Sequence, residues 1–224
     1  MPVGKTVIFD LDGTLADTGA DLIAAANACF RRLGLGDQLH PARDKSTAFR
    51  GGRAMLRLGF ARAGSGHGEA EVDASFVHLV AFYSDNIDRH SFLYPGVVAA
   101  LDRLAAAGYR LGVCTNKPER LADMLLTSLG VRDRFVSLIG ADTLPVRKPA
   151  PEPLVEAVSR VGGDLSQSVL VGDTHTDRDT GRAAGVPVIL VTFGPDGDAV
   201  ADLAPEALLS GYDALDDTVR ALIG

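Results

Sequence analysis

Two acidic residues stand two positions apart near the start of the sequence, directly after an apolar run. Asp10 and Asp12 follow Val7-Ile8-Phe9 and precede Gly13. Because neighbouring carboxylates oppose each other's ionisation, such a pair is costly unless a cation neutralises it. The pair could belong to an ordinary turn rich in Asp and Gly, but three further polar segments favour a functional site.

The second segment, Cys114-Thr115-Asn116-Lys117, follows the apolar run 110–113 and precedes a predicted helix. The Thr115 hydroxyl and the backbone N–H groups at a helix N-terminus suit an anionic oxygen. Thr115 and Asn116 could equally act as a helix cap. The segment therefore indicates an anion site only in combination with the others.

The third segment is rich in proline and carries Lys148, in the order Arg147-Lys148-Pro149-Ala150-Pro151-Glu152-Pro153. Prolines restrict the backbone and start a helix. The interpretation is that Lys148 is held on a stiff segment, although an exposed surface lysine is the alternative.

The fourth segment, Gly172-Asp173-Thr174-His175-Thr176-Asp177, follows the predicted strand 169–171. Asp173 stands at the strand end, and Asp177, one helical turn later, can reach the same side. Carboxylate oxygens are the ligands that Mg²⁺ prefers. A capped helix start is the alternative.

The elements around these segments alternate between strands and helices. Apolar runs of strand length are predicted at 6–9, 110–114, 135–139, 169–171 and 188–191, with helices at 97–107, 119–129, 152–161 and 178–184. Strict alternation indicates βαβ units around a parallel sheet. The strands are apolar throughout, which suits a sheet covered on both faces.

One region interrupts this alternation. Between residues 18 and 92 no strand is predicted, and helical patterns cover 21–33, 52–63 and 69–89. We therefore predict an α/β core domain from residues 1–17 and 93–224, with a helical cap domain at 18–92. A short edge strand and a last helix are expected within 208–224.

The four polar segments are expected to converge, since parallel strands bring their carboxyl ends to one edge of a sheet. Four acids would meet one lysine there: Asp10, Asp12, Asp173 and Asp177, with Lys148. Their mutual repulsion calls for a divalent cation. Such a cation, together with Thr115, Asn116 and Lys148, would make a phosphate site.

The composition excludes several other classes. The 224 residues are 46% hydrophobic and 23% charged, with a formal net charge of −7, which does not indicate a broadly basic nucleic-acid-binding face. No apolar run approaches the roughly 20 residues that span a bilayer. The start, MPVGKTVIFD, lacks a secretory pattern. Cys29 and Cys114 are expected to be small buried residues, and the protein is expected to be cytoplasmic.

Taken together, the segments resemble the motifs of the haloacid dehalogenase superfamily, in its phosphatase branch. The matching elements are Asp10–Thr14, Thr115, Lys148 and Gly172–Asp177. The likeness covers the whole chain, and FDLDGTLADTGADL, CTNKPERLADMLL and VGDTHTDRDTGRAAG are most similar to phosphoglycolate phosphatases. It implies a Rossmann-like doubly wound parallel core, a helical cap inserted after the first strand, and Mg²⁺-dependent hydrolysis of a phosphoric monoester.

The resemblance also implies a role for each residue. Asp10 would be the nucleophile that forms an aspartyl-phosphate, and Asp12 the general acid and then base. Thr115 and the Asn116 N–H would hold phosphoryl oxygens, with Lys148 neutralising their charge. The Mg²⁺ ligands would be the carboxylates of Asp10 and Asp173 and the backbone carbonyl of Asp12, with Asp177 orienting the metal site.

In such proteins the cap excludes water and contributes residues that read the substrate. The candidates here are Arg53, then Arg50, with Gly51 allowing close backbone approach. A solvated arginine is the alternative. The cap lysine Lys45 could in principle form an imine, as in the phosphonate-cleaving branch, but Asp12 fits that branch poorly.

The favoured reaction is the hydrolysis of 2-phosphoglycolate to glycolate and phosphate by a monomer or homodimer. A β-phosphoglucomutase-like isomerase, or a phosphatase for a sugar phosphate or pyrophosphate, remains open. A phospho-accepting receiver domain is a different class. It is disfavoured because it is roughly half as long and carries its phospho-acceptor after a later strand. No nucleic-acid or membrane partner is expected, only a small phosphorylated metabolite.

Overall fold

The computed structural model describes residues 4–64 and 66–224 of the chain. The chain divides into two compact units. The core unit comprises Met1–Ala16 and Leu93–Gly224, and the cap unit comprises Asp17–Phe92.

The core unit is built on one parallel sheet. The strands along the chain are β1 (Gly4–Phe9), β2 (Ala16–Asp17), β3 (Phe92–Leu93), β4 (Arg110–Cys114), β5 (Ser137–Ile139), β6 (Gly163–Gly172), β7 (Val188–Val191) and β8 (Ala207–Leu209). Six of them form the sheet in the order β5-β4-β1-β6-β7-β8, while β2 and β3 form a separate two-stranded sheet. The order runs outward from β1 in both directions, which is the doubly wound arrangement.

The helices fall into two sets. The cap unit holds α1 (Gly19–Arg32), α2 (Lys45–Phe49), α3 (Gly52–Ala63) and α4 (Glu69–Asp85), and the core unit holds α5 (Val97–Ala106), α6 (Glu119–Ser128), α7 (Glu152–Arg160), α8 (His175–Ala184) and α9 (Leu215–Ile223). Helix α7 packs on the sheet through Leu154 and Val158, which share a buried cluster with Ile8 and Leu170. The predicted α/β fold with a doubly wound core and a helical cap is confirmed.

Two helix boundaries differ from their predicted positions by three or more residues, for local reasons. The helix predicted over 69–89 ends at Asp85, where the Asn86 Nδ2 donates to the Phe82 carbonyl over 2.8 Å. The helix predicted from residue 178 begins at His175, because Thr174 and Asp177 form a capping box ahead of it. Helix α2 was not predicted, since five residues are too few to show a helical period.

The cap unit has its own packed interior. Phe30 of α1 meets Phe60 of α3 edge-on, with ring centroids 5.3 Å apart. A Cβ added at Gly59 would lie 2.0 Å from the Phe30 ring, so this close approach requires glycine. The buried Asp44 carboxylate accepts two hydrogen bonds from the Arg62 guanidinium, at 2.7 and 2.8 Å, which joins the start of α2 to the end of α3.

Candidate active site

The four polar segments all follow strands of the sheet or lie just beyond them. Strand β1 lies between β4 and β6, and Phe9 is in register with Val113 and Val171. The residues that follow these three strands therefore leave the sheet side by side, at the edge where open α/β sheets bind ligands.

Lys148 joins two of the predicted acids. Its Nζ lies 2.6 Å from the Asp177 Oδ1 and 3.2 Å from the Asp10 Oδ1, and its side chain is almost completely buried. Burial alone would lower the pKa of Lys148, but the carboxylates of Asp10 and Asp177 outweigh that effect and raise it. Lys148 is thus a fixed positive charge inside the site, as the stiff proline-rich segment predicted.

Asp10 is anchored through one oxygen. Its Oδ1 accepts a hydrogen bond of 2.7 Å from the Leu11 backbone N–H in addition to the Lys148 contact. Among the described residues, its Oδ2 accepts no hydrogen bond. Burial raises the pKa of Asp10 to about 6, with Lys148 opposing that rise. One oxygen therefore holds the side chain in place while the other is available for reaction.

The two oxygens of the Asp173 carboxylate have different surroundings. Its Oδ1 accepts a hydrogen bond of 3.1 Å from the Thr14 hydroxyl, whereas its Oδ2 is buried and has no hydrogen-bond partner among the described residues. A Cβ at Gly13 would lie 2.2 Å from this Oδ2, and Gly13 has a φ of 84°. Burial, then Asp177 and then Asp10, raise the Asp173 pKa. A buried, unpaired carboxylate oxygen is costly unless a ligand meets it.

Asp177 differs from Asp173 because both of its oxygens are bound by protein donors. Its Oδ2 accepts from the Asp173 N–H and the Thr174 N–H, each at 3.2 Å, and from the Thr174 hydroxyl at 3.0 Å. Its Oδ1 is held by Lys148. This pattern suits a residue that orients Asp173 and Lys148.

The acids form a cluster that fits a divalent cation. One ligand oxygen from each of Asp10, Asp173 and Asp177 can be chosen so that all three lie within 4.8 Å of one another. Lys148 faces three carboxylates there, and within residues 4–64 and 66–224 no group donates a hydrogen bond to the buried Asp173 Oδ2. Hard oxygen ligands of this kind are typical of a Mg²⁺ site.

The Asp12 carboxylate points to a different partner. The Lys117 Nζ donates to its Oδ1 at 2.8 Å and to its Oδ2 at 2.9 Å. Sequence reasoning singled out the 114–117 segment but gave Lys117 no role. The available signal for such a role was the position of Lys117, two residues after Thr115 in the same polar segment.

Thr115 and Asn116 connect the neighbouring segments. The Thr115 hydroxyl accepts a hydrogen bond of 3.2 Å from the Lys117 N–H, and the Thr115 N–H donates to the Ile139 carbonyl at 2.9 Å. The Asn116 Nδ2 donates to the Lys148 carbonyl at 3.0 Å. The sequence prediction for Asn116 concerned its backbone N–H or a helix cap, so this side-chain bond to the Lys148 segment was missed.

A buried tyrosine supports the first segment from the far end of the chain. The Tyr212 hydroxyl donates to the Thr14 carbonyl at 2.8 Å, and its ring packs on Phe193 with centroids 5.5 Å apart. Phe193 in turn packs on Tyr94. Nothing in the local sequence around Tyr212 indicated this role, because it depends on contacts almost 200 residues away.

The three predicted cap residues lie in the cap unit. Gly51 precedes α3 with a φ of 96°, and Arg50 closes α2 and is exposed. Arg53 forms an ion pair with Asp73 and lies over the Phe76 ring, 4.7 Å from its centroid. The structure thus gives Arg53 partners within its own unit, and the substrate-reading role of all three stays a prediction.

Known proteins are similar to this chain in sequence and architecture. The profile of the haloacid dehalogenase-like hydrolase family matches residues 7–191. The phosphoglycolate phosphatase of Mesorhizobium japonicum is 38% identical over 93% of this chain and 92% of its own length. That of Agrobacterium fabrum is 36% identical over 96% and 91%. A solved structure of a predicted phosphoglycolate phosphatase from Haemophilus somnus has a TM-score of 0.86 at 26% identity and covers 96% of this chain and 97% of its own.

A doubly wound sheet with acids after β1 and β6 and a buried lysine beside them defines a class of hydrolase. The chain belongs to the haloacid dehalogenase-like hydrolase family. The predicted resemblance is confirmed, as is the prediction of a phosphoric monoester hydrolase similar to phosphoglycolate phosphatases. In the described part of the chain, every helix is too short or too polar to cross a membrane.

Proposed function

We propose that the protein is a Mg²⁺-dependent phosphatase that hydrolyses 2-phosphoglycolate to glycolate and phosphate through an aspartyl-phosphate on Asp10. The observation that carries the chemistry is the arrangement of Asp10, whose Oδ1 is anchored by Lys148 and the Leu11 N–H while its Oδ2 accepts no hydrogen bond among the described residues. The names of the curated relatives support the substrate.

In the first step the free oxygen of Asp10 attacks phosphorus and the bond to the leaving oxygen breaks. Asp12 gives its proton to that leaving oxygen, so that an alcohol departs instead of an alkoxide. Thr115 and the Asn116 N–H bind phosphoryl oxygens, and Lys148 offsets the repulsion between the carboxylate and the phosphate.

In the second step water attacks the phosphorus of the aspartyl-phosphate. Asp12, now ionised, takes a proton from that water, and the P–O bond to Asp10 breaks. Inorganic phosphate leaves and the Asp10 carboxylate is restored. The same side chain therefore serves as acid and then as base.

Asp10, Asp173 and the backbone carbonyl of Asp12 would hold the Mg²⁺, and Asp177 would orient them. The buried Asp173 Oδ2, which no described group meets, supports this assignment. A bound Mg²⁺ supplies positive charge that lowers the repulsion between Asp10 and the phosphate. The single positive charge of Lys148 cannot neutralise the negative charges of the Asp10, Asp173 and Asp177 carboxylates.

The substrate is the part of the proposal that depends on relatives. We infer that Arg53, with Arg50 and Gly51, reads the anionic group of a small phosphorylated metabolite. A sugar phosphate or pyrophosphate is the alternative substrate, and a β-phosphoglucomutase-like isomerase is the alternative enzyme. A cytoplasmic location and a monomer or homodimer stay predictions from the sequence.

Phosphate release from a panel of phosphoesters tests the proposal. The panel contains 2-phosphoglycolate, several sugar phosphates, pyrophosphate and a nucleotide, each with Mg²⁺ and with EDTA. We expect Mg²⁺-dependent release with preference for 2-phosphoglycolate, and Arg53→Ala should raise its KM. Preference for a sugar phosphate would contradict 2-phosphoglycolate as the substrate but would leave the proposed reaction in place.

The Asp10→Asn variant tests the nucleophile separately. It should form no acid-stable phosphoenzyme and show no turnover, while its circular dichroism stays that of the wild type. Asp202→Asn, which changes an exposed acid of the same unit, is the control. Turnover by Asp10→Asn near the wild-type rate would exclude Asp10 as the nucleophile.

A further inference from the structure

We propose that Lys117 is a positioning residue for Asp12, a role that rests on the proposed function. The Lys117 ammonium bonds both oxygens of the Asp12 carboxylate, at 2.8 and 2.9 Å. These two charge-assisted bonds hold the Asp12 carboxylate with both of its oxygens towards the Lys117 ammonium. The Asp12 side chain is 18% exposed, so burial alone does not hold it in place.

Lys117 can do this because it is itself rigidly held. Its side chain is 3% exposed, which leaves the aliphatic stem little room to move. Its backbone is fixed at both ends, since its N–H donates to the Thr115 hydroxyl at 3.2 Å and its carbonyl accepts from the Ala141 N–H at 3.0 Å. A lysine on a mobile loop could not orient a partner in this way.

The contact also joins two parts of the site that are distant in sequence. Asp12 follows β1, whereas Lys117 and Thr115 follow β4. The acid–base residue is therefore held by the same segment that supplies the phosphate-binding hydroxyl. Lys117 therefore sets the distance over which Asp12 transfers a proton. The proton goes to the leaving oxygen in the first step and comes from the attacking water in the second.

This role predicts that Lys117 affects only the steps that use Asp12. An alkoxide needs the Asp12 proton in order to leave, but p-nitrophenolate is stable without it. With p-nitrophenyl phosphate, attack by Asp10 should stay fast when Lys117 is replaced. The second step uses Asp12 whatever the substrate, because water must still lose a proton. The phosphoenzyme should therefore accumulate.

The experiment compares wild type, Lys117→Met and Lys117→Arg in Mg²⁺ by quenched flow. In Lys117→Met we expect the steady-state turnover of 2-phosphoglycolate and of p-nitrophenyl phosphate to fall about 10- to 100-fold, because misplacing a catalytic group costs about that much. The p-nitrophenolate burst should approach one equivalent per enzyme. Lys117→Arg, which keeps the charge and a two-point contact, should recover part of the turnover.

A double-mutant cycle tests whether Lys117 acts through Asp12. In an Asp12→Asn background, adding Lys117→Met should lower turnover no further. A further drop equal to that of the single variant would overturn the proposal. Lys5→Met, which removes a lysine at the opposite end of β1, is the matched control and should leave burst and turnover unchanged.

Other outcomes overturn the proposal in distinguishable ways. A misfolded Lys117→Met would lose burst amplitude in proportion to lost sites, which would indicate a structural ion pair only. A rise in KM for 2-phosphoglycolate without a change in kcat would make Lys117 a reader of substrate charge. A wild-type protein without burst or turnover would overturn the proposed phosphatase together with this role.

Discussion

The Asn116 side chain donates its Nδ2 hydrogen bond to the backbone carbonyl of Lys148, 3.0 Å away, and so ties the segment after β4 to the proline-rich segment before α7. Lys148 in turn contacts Asp10 and Asp177. The position of the buried Lys148 ammonium therefore depends on the Asn116 amide, which bonds the Lys148 carbonyl and not the acids.

We expect Asn116→Ala to lower turnover about 10-fold or more, because loosening the Lys148 segment by a fraction of an ångström misplaces its charge. The free energy of unfolding should fall by only about 1 kcal/mol, the net worth of one hydrogen bond. Asn86→Ala removes a similar side-chain bond at the end of α4 and is the control for stability. Equal activity losses in the two variants would contradict the prediction.

The close approach of Gly13 to Asp173 predicts a large effect of a single methyl group. In Gly13→Ala the new Cβ would meet the Asp173 Oδ2 at 2.2 Å, so the carboxylate must move. We expect loss of Mg²⁺-dependent activity and weaker Mg²⁺ binding by calorimetry. Gly185→Ala is the matched control, since Gly185 also has a positive φ but a Cβ there meets nothing within 4 Å. Gly185→Ala should lose stability through backbone strain while keeping Mg²⁺ affinity.

The raised pKa of Asp10 predicts how metal-free stability depends on pH. Its folded pKa of about 6 lies above its ordinary value of 3.8, so the folded state holds this proton more tightly than the unfolded state. Stability in EDTA should therefore be greatest below about pH 4 for this group and fall as the pH rises through 6, by at most about 3 kcal/mol. Mg²⁺ should reverse the loss because it favours the ionised carboxylate.

Thermal unfolding between pH 4 and 8, with EDTA and with Mg²⁺, measures this dependence. Asp10→Asn should flatten the slope in EDTA and be more stable than the wild type at pH 7. Asp202→Asn should leave the slope unchanged. An unchanged slope in Asp10→Asn would assign the pH dependence to other groups.

The cap unit should show the opposite pH dependence at Asp44. Hydrogen bonds from Arg62 hold the pKa of Asp44 at about 2, below its ordinary value. Its contribution is present above the unfolded pKa near 4 and is lost as the pH falls through about 2. Asp44→Asn should therefore destabilise the protein by about 1–3 kcal/mol at pH 7, with a smaller difference near pH 2, in urea unfolding followed by circular dichroism.

Asp37→Asn provides the comparison for that measurement. Asp37 forms an ion pair with Arg31 in which both side chains are about half exposed. Exposed pairs contribute about 0–1 kcal/mol, because water competes for both charges. A loss in Asp37→Asn as large as that in Asp44→Asn would show that burial is not what makes the Arg62 contact important.

The sequence predicted several elements from their local pattern. Strands such as Arg110–Cys114 and Val188–Val191 have the predicted ends, because their apolar runs are bounded by polar and turn-forming residues. The convergence of Asp10, Lys148 and Asp177 followed from one topological rule, that parallel strands end at the same edge. These placements needed no knowledge of side-chain packing.

Two of the missed contacts depend on partners that are distant in sequence. Lys117 meets Asp12 across 105 positions, and Tyr212 meets Thr14 across 198. Neither contact leaves a periodic signal, since each rests on one side chain reaching one atom. The end of α4 at Asp85 was also missed, although the Asn86 amide that bonds the Phe82 carbonyl there lies only four residues away.

The central position of β1 determines how late during protein synthesis the site can form. Its partners β4 and β6 lie far along the chain, with Thr6 paired to Arg110 on one side and to Ser168 on the other. Such pairings close long loops and form slowly. During synthesis the first strand emerges with its two acids but cannot acquire the remaining acids until residue 177 has been made. A growing chain that ends before residue 177 therefore lacks part of the acidic cluster.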